Sequence, residues 1–311
     1  MLSRVASSIY WMSRYLERAE NVARFIAVNE HLILDMGLAP DNAQWSPLVT
    51  TSGDDVDFAL RYDEPSEKNV LFFLTFDEKN PNSIYSCICA ARENARTVRE
   101  VISSEMWEQI NAMYHSVQNH RRKRRMDNLQ AFYASIRTGS FLFAGLTANT
   151  MSHNEAWQFA RVGRLLERAD KTARLLDVKY FLLLPNPAFV DSPYDAVEWG
   201  AVLKSANAFE MYRKHYHSIN YRDVARFLIF DTAFPRALTY CVNGARDSLA
   251  AITRELGVSV NAEDEMEKLV SMLQASTIDG LLGNGLHEFI DIFQFNLNVV
   301  DQAIYRAFFA R

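Results

Sequence analysis

Arg14-Tyr15-Leu16-Glu17-Arg18-Ala19-Glu20-Asn21-Val22-Ala23-Arg24 recurs 150 residues later as Arg164-Leu165-Leu166-Glu167-Arg168-Ala169-Asp170-Lys171-Thr172-Ala173-Arg174. Between residues 14–28 and 164–178, eight of fifteen positions are identical, and Glu20 is matched by the like-charged Asp170. Internal repetition bounds the fold before any local reading does. Two copies of a helix can stay apolar on one side and drift elsewhere, so charges retained in both copies call for a physical reason.

The repetition extends beyond this stretch. Phe73-Leu74-Thr75-Phe76-Asp77, then Pro81, Cys87, Ala91 and Arg92, recurs as Phe227-Leu228-Ile229-Phe230-Asp231, then Pro235, Cys241, Ala245 and Arg246. This block and the pair Trp45 and Trp199 are offset by 154, which places a four-residue insertion between the two blocks, around Gly37 to Asn42. The expected organisation is two copies of one unit, residues 1–150 and 151–311, sharing one core about a pseudo-two-fold axis.

Helical periodicity dominates the chain. It predicts helices over 3–36, 81–102, 104–120, 123–149, 153–183, 197–217, 222–230, 235–256, 262–276 and 283–309. The fold class is all-α, a multi-helix globule. Only 11 glycines and 8 prolines in 311 residues agree with long helices. Pro81 and Pro235 are expected in first helical turns. Ser152-His153-Asn154-Glu155 reads as a capping box, and Pro185 closes the helix it starts. Residues 38–69 are polar and proline-bearing, and read as a long loop or short helices.

On a helical wheel, Leu16, Ala19, Ala23 and Ile26 share an apolar face, while Glu17, Arg18, Glu20, Asn21 and Arg24 lie on the other side. Alanines one turn apart admit a second helix closely. The second copy has the same division. An exposed Glu20–Arg24 pair at i, i+4 would contribute only about 0.3–0.5 kcal/mol, too little to account for two matching stripes. Two readings remain open. The stripes form a buried lattice in which Arg14, Arg18, Glu20, Arg24, Arg164, Arg168, Asp170 and Arg174 pair the halves. Alternatively they line a cleft where arginines bind an anion and Glu17 or Glu167 acts as acid or base. Asp77, Arg92, Asp231 and Arg246 are second candidates for either site.

Other chemistry is less well supported. No histidine follows a glutamate by three residues, as a di-metal carboxylate bundle would need, so no metal is expected. Gly280, Gly283 and Gly285 lack the strand and Lys-Ser/Thr of a phosphate loop, and no cofactor is expected. Three cysteines without Cys-x-x-Cys fit a reducing compartment. Cys87 and Cys241 lack an evident base and read as packed thiols. A net charge of −5 argues against general nucleic-acid binding, although Arg121-Arg122-Lys123-Arg124-Arg125 is a local basic run. No signal peptide or membrane span is read, and a cytoplasmic protein is expected.

The opening Met1-Leu2-Ser3-Arg4-Val5-Ala6, the run Tyr10-Trp11-Met12-Ser13-Arg14-Tyr15-Leu16-Glu17-Arg18-Ala19-Glu20 and its second copy resemble the bacterial alpha-E family. That family is an α-helical domain with a Glu-Arg motif, matched here by Glu17-Arg18 and Glu167-Arg168. The resemblance implies an all-α fold. It also implies a context of peptide synthesis or modification, with ATP-grasp-like and transglutaminase-like proteins and an amino-terminal-nucleophile peptidase. It implies no catalytic residues. The expected role is an accessory or scaffold protein beside an ATP-grasp-like partner; an enzyme using Glu17 or Glu167 is the alternative.

Overall fold

A computed structural model describes residues 1–36, 44–122, 129–183 and 193–310. The described residues contain helices and no strand. In chain order the helices are α1 (Ser3–Met36), α2 (Ser46–Ser52), α3 (Asp55–Ala59), α4 (Glu67–Thr75), α5 (Ile84–Thr97), α6 (Ser104–Arg122), α7 (Leu129–Thr150) and α8 (Glu155–Leu183). They continue with α9 (Pro193–Ser205), α10 (Phe209–His215), α11 (Tyr221–Phe230), α12 (Leu238–Leu256), α13 (Asn261–Ala275), α14 (Ile278–Asn284) and α15 (Leu286–Ile304), and a π-helical turn at Tyr305–Phe309. No helix is long and apolar enough to cross a membrane among these residues.

The two long helices carrying the repeated motif, α1 and α8, pack directly on each other. Around α1 lie α5 and α7, with α6 bridging those two; around α8 lie α12 and α15, with α13 bridging them. Buried apolar residues from α1 through α15 form one contiguous core. Leu16, Ala19, Ala23 and Ile26 are all inside it, as are Trp45 and Trp199. Much of the charged side of α1 is also buried: Glu17, Glu20, Asn21 and Arg24 are each less than a tenth exposed, and Arg14 and Arg18 are partly buried.

Several helix boundaries differ from the sequence expectation, each for a local reason. Residues 197–217 are not one helix, because Asn207 takes a left-handed φ of 52° and separates α9 from α10. Pro81 and Pro235 lie in turns just before α5 and α12 instead of inside their first turns; Ser83 caps α5 by accepting from the Ser86 N–H. The capping box at Ser152 does not form. Asn154 accepts from the Ala156 N–H at 3.1 Å, and Glu155 pairs with the Met1 amine. The last long helix starts at Leu286, after Gly285 turns the chain at φ 106°. The expected insertion at Gly37 to Asn42, Pro185 and Lys123 to Arg125 fall outside the described residues.

Helices α1 and α8 approach closely at Gly163, where a Cβ would stand 2.5 Å from the Tyr10 carbonyl oxygen. A backbone atom cannot swing aside as a side chain does. Gly163→Ala should therefore destabilise the fold by about 1–3 kcal/mol in urea unfolding. Gly145→Ala, on α7 with open space around it, should be neutral or stabilise by up to about 1 kcal/mol. Equal effects of the two substitutions would refute the close helix crossing.

Candidate functional site

The repeated Glu-Arg dipeptides meet at the α1–α8 contact and cross over. Arg168 grips Glu17 side-on, with Nε to Oε1 at 2.7 Å and Nη2 to Oε2 at 2.9 Å. Arg18 grips Glu167 in the same way, at 2.6 and 2.9 Å. Each is a two-toothed fork, the strongest geometry available to an arginine and a carboxylate. Helical spacing explains the crossing. The Glu and the Arg of each dipeptide are neighbours in sequence and cannot fold back on each other, so each finds its partner on the facing helix.

Both carboxylates are then filled by further cations. Glu167 accepts from Arg14 Nε at 3.0 Å, and Lys171 stands 4.0 Å away. Glu17 accepts from Arg236 Nη1 at 3.1 Å and from Asn21 Nδ2 at 3.3 Å. Arg236 continues to Glu20 Oε2 at 2.8 Å and to Asn21 Oδ1 at 3.1 Å. Arg24 pairs with Glu20 along α1, and Arg174 with Asp170 along α8 at 3.0 Å. Arg14 reaches Asp301 at 2.6 Å and the Tyr10 hydroxyl at 3.2 Å; Tyr10 in turn donates to Asp301.

Burial by itself would raise both glutamates, but the arginines override it. Arg168 and Arg236 hold the Glu17 carboxyl down at about 2, and Arg18 and Arg14 hold Glu167 well below the usual carboxylate range. A group ionised this firmly, with both oxygens occupied, can neither donate a proton near neutral pH nor act as an effective base. Cys87 and Cys241 are buried, and burial pushes each thiol up to about 12, which keeps them unreactive.

The candidates Arg14, Arg18, Glu20, Arg24, Arg168, Asp170 and Arg174 all lie in the paired cluster around the forks, while Arg164 sits beside it with no hydrogen bond to its Nε among the described residues. The second set is elsewhere. Asp77 receives Arg61 at 2.8 Å and Tyr62 at 3.1 Å. Arg92 bonds Asn111 and Glu93. Asp231 accepts from the Ala233 and Phe234 N–H groups, and Arg246 pairs with Asp247. These four do not join the forks: Asp77 and Asp231 order the turns that follow α4 and α11, and Arg92 on α5 and Arg246 on α12 bond neighbours there. In the basic run, Arg121 pairs with Glu78 at 2.7 Å and lies over the Tyr85 ring.

Sequence reasoning missed Arg236, Asn82, Tyr10, Lys171 and Asp301. Arg236 and Asn82 follow the repeated Pro235 and Pro81, so a signal existed: the residue after each proline enters the network. Asn82 accepts from Arg18 Nη1 at 2.5 Å and donates to Asp54 at 2.6 Å. Nothing in the sequence marks Asp301. A separate cluster joins α8 and α15, where His287 Nδ1 lies 2.6 Å from Asp177 and its Nε2 3.4 Å from Asp291. Their ligand-type atoms lie within 4.8 Å of one another, and the hydrogen bond to Asp177 raises the His287 pKa.

The forks make stability depend on acid. Glu17 falls from an ordinary 4.5 to about 2 on folding, and Glu167 falls too. Their contribution is complete above about pH 4.5 and is lost as pH falls towards 2. Urea unfolding of the wild type should weaken across that window. Glu17→Gln/Glu167→Gln should already be weaker at pH 7, by about 3–5 kcal/mol per broken pair, and should show a shallower acid slope. Wild-type stability unchanged from pH 5 to pH 3 would contradict the geometry.

Over residues 1–309 the chain matches Alpha-E, described as "a predicted alpha-helical domain with a conserved ER motif". It is 22% identical over 304 residues to an uncharacterised protein of Mycobacterium bovis and to uncharacterised proteins of two Mycobacterium tuberculosis strains. The match covers 91% of this chain and 34% of each relative, so the chain spans about a third of the length of those curated relatives. No solved structure matches it. With an all-helical fold and the two Glu-Arg dipeptides at its centre, this chain belongs to the Alpha-E family.

Proposed function

We propose that this chain is an accessory or scaffold protein of an ATP-dependent peptide synthesis or modification system, working beside an ATP-grasp-like partner in the cytoplasm. The two sequence halves act as duplicated units on a shared core. The observation that carries the scaffold reading is the closure of both forks. Glu17 and Glu167, the carboxylates of the family's motif, are buried, ionised and fully occupied by arginines. Groups so engaged hold helices in register; they do not turn over substrate. A buried fork broken on one side leaves an unpaired charge, which penalises every other register of α1 on α8.

The length of the relatives supports a role alongside another polypeptide. In them the matched region is about a third of a longer chain, so the domain operates there joined to other parts. The ATP-grasp-like and transglutaminase-like partners come from the family resemblance. The free cysteines agree with a reducing compartment.

The test is affinity capture of the tagged chain from its own host, followed by mass spectrometry. The wild type should recover an ATP-grasp-like protein. Glu17→Gln/Glu167→Gln, if its circular dichroism shows it folded, should lose stability and capture together. Capture of neither partner class by the wild type, or a folded double variant with unchanged melting temperature that loses a catalysed reaction, would overturn the scaffold reading.

A further inference from the structure

Arg14 and Arg164 occupy the same place in the two copies of the motif, yet their surroundings differ. Arg14 is saturated by Glu167, the Tyr10 hydroxyl and Asp301. Arg164 makes no hydrogen bond or ion pair among the described residues, and its buried Nε has no acceptor. Glu17, which answers to Glu167, is already taken by Arg168 and Arg236.

The missing partners can be traced. Tyr10 is matched 150 residues later by Ala160. The buried positions of α7 recur in α15 at an offset of 157: Phe132, Ile136, Phe143 and Thr147 fall on Phe289, Phe293, Val300 and Ile304. That register sets Ala144 opposite Asp301. Ala144 and Ala160 both line a cleft between α1, α7 and α8, together with Arg164, Arg161 (which is bonded to Gly244 and Ser248), the hydroxyls of Ser13, Ser140 and Thr147, and Glu17, whose carboxylate is already held by Arg168 and Arg236. Where Arg14 has a tyrosine and an aspartate, Arg164 has two alanines and space.

The charge balance points the same way. Around Glu17 and Glu20 stand Arg24, Arg164, Arg168 and Arg236, with Arg161 at the cleft, so cations outnumber carboxylates. Around Glu167, the cations Arg14, Arg18, Lys171 and Arg174 face Glu167, Asp170 and Asp301. Burial and then the neighbouring Arg168 lower the pKa of Arg164, outweighing the opposing pull of Glu17, whereas that of Arg14 is raised, despite its burial, by Tyr10, Glu167 and Asp301. Arg164 is a partly buried cation whose Nε is buried without an acceptor, and the carboxylate that acts on it, Glu17, is already held by Arg168 and Arg236. The cleft encloses about 30 Å³, room for about two water-sized atoms, which matches the two oxygens of a carboxylate.

We propose that this cleft binds a carboxylate through Arg164, in the place that Asp301 holds beside Arg14. The carboxylate belongs to a small organic acid or to the free C-terminus of a peptide. This goes beyond the scaffold role and stands without it.

The full chain should melt higher in sodium acetate than in sodium chloride of equal ionic strength at pH 7. Acetyl-Ala-Ala with a free C-terminus should shift melting as well, and its amide should not. Acetate and peptide acting alike assign the site to any small carboxylate; a response to the free-terminus peptide alone assigns it to peptide ends. Arg164→Gln should weaken binding about tenfold or more, since the lost contact is a charge-assisted fork. Ala144→Asp supplies the carboxylate from within, so it should melt higher than the wild type and cease to respond to either ligand. This second variant keeps the test decisive if Arg164→Gln fails to fold. No shift with acetate or the free-terminus peptide, or equal shifts in the wild type and Ala144→Asp, would overturn the proposal.

Discussion

Two carboxylates lie almost without solvent at the centre of this protein, and each is held by the arginine of the opposite motif. Burying a carboxylate is costly unless a cation and hydrogen bonds accompany it. Glu17 and Glu167 are 7% and 0% exposed, so neither is tolerable without its fork. The requirement fixes α1 against α8. A shift of either helix by one turn would strand two acids and two guanidinium groups in the core. Gly163 on α8 permits the approach that brings the forks within reach, and the alanines beside them keep the contact thin. The surrounding helices then close over this contact and remove it from water.

The forks are alike, but what surrounds them is not. Glu17 receives a second cation, Arg236, from the turn before α12, while the corresponding Asn82, before α5, offers an oxygen to Arg18. Lys171 stands where the first copy has Asn21, close to Glu167 and Asp170. The outcome is four cations facing three carboxylates around Glu167, and a larger surplus of positive charge around Glu17 and Glu20. Burial and the neighbouring arginines push Arg24 down. Arg236 falls to about 10, with burial the larger cause and Arg168 adding to it. The two sequence stretches are alike, but the charges that tertiary packing brings beside them differ.

This arrangement separates two roles that the Glu-Arg motif could have played. A catalytic carboxylate needs a free oxygen and a pKa near the working pH. The motif glutamates have neither. The arginine one turn before each dipeptide is more informative: Arg14 is locked into the network and Arg164 is not. At the edge of the lattice the buried Nε of Arg164 has no acceptor among the described residues.

The all-helical class, the span of α1, the repeated charged stripe and its apolar opposite face were all legible in the linear order of residues, because helical periodicity and internal repetition are local properties. The i, i+4 pairs Glu20–Arg24 and Asp170–Arg174 were legible for the same reason. The sequence was silent on which acid meets which base across the core. Glu17 finds its partner 151 residues away at Arg168, and Arg14 finds Asp301 287 residues away. Asp77, Arg92, Asp231 and Arg246 were second candidates by repetition alone, yet each bonds neighbours in its own turn or on its own helix instead of joining the forks. Tertiary packing made that choice, because desolvation acts only once helices distant in sequence have closed around a charge, and the same arginine is satisfied or starved according to whether an aspartate or an alanine arrives beside it.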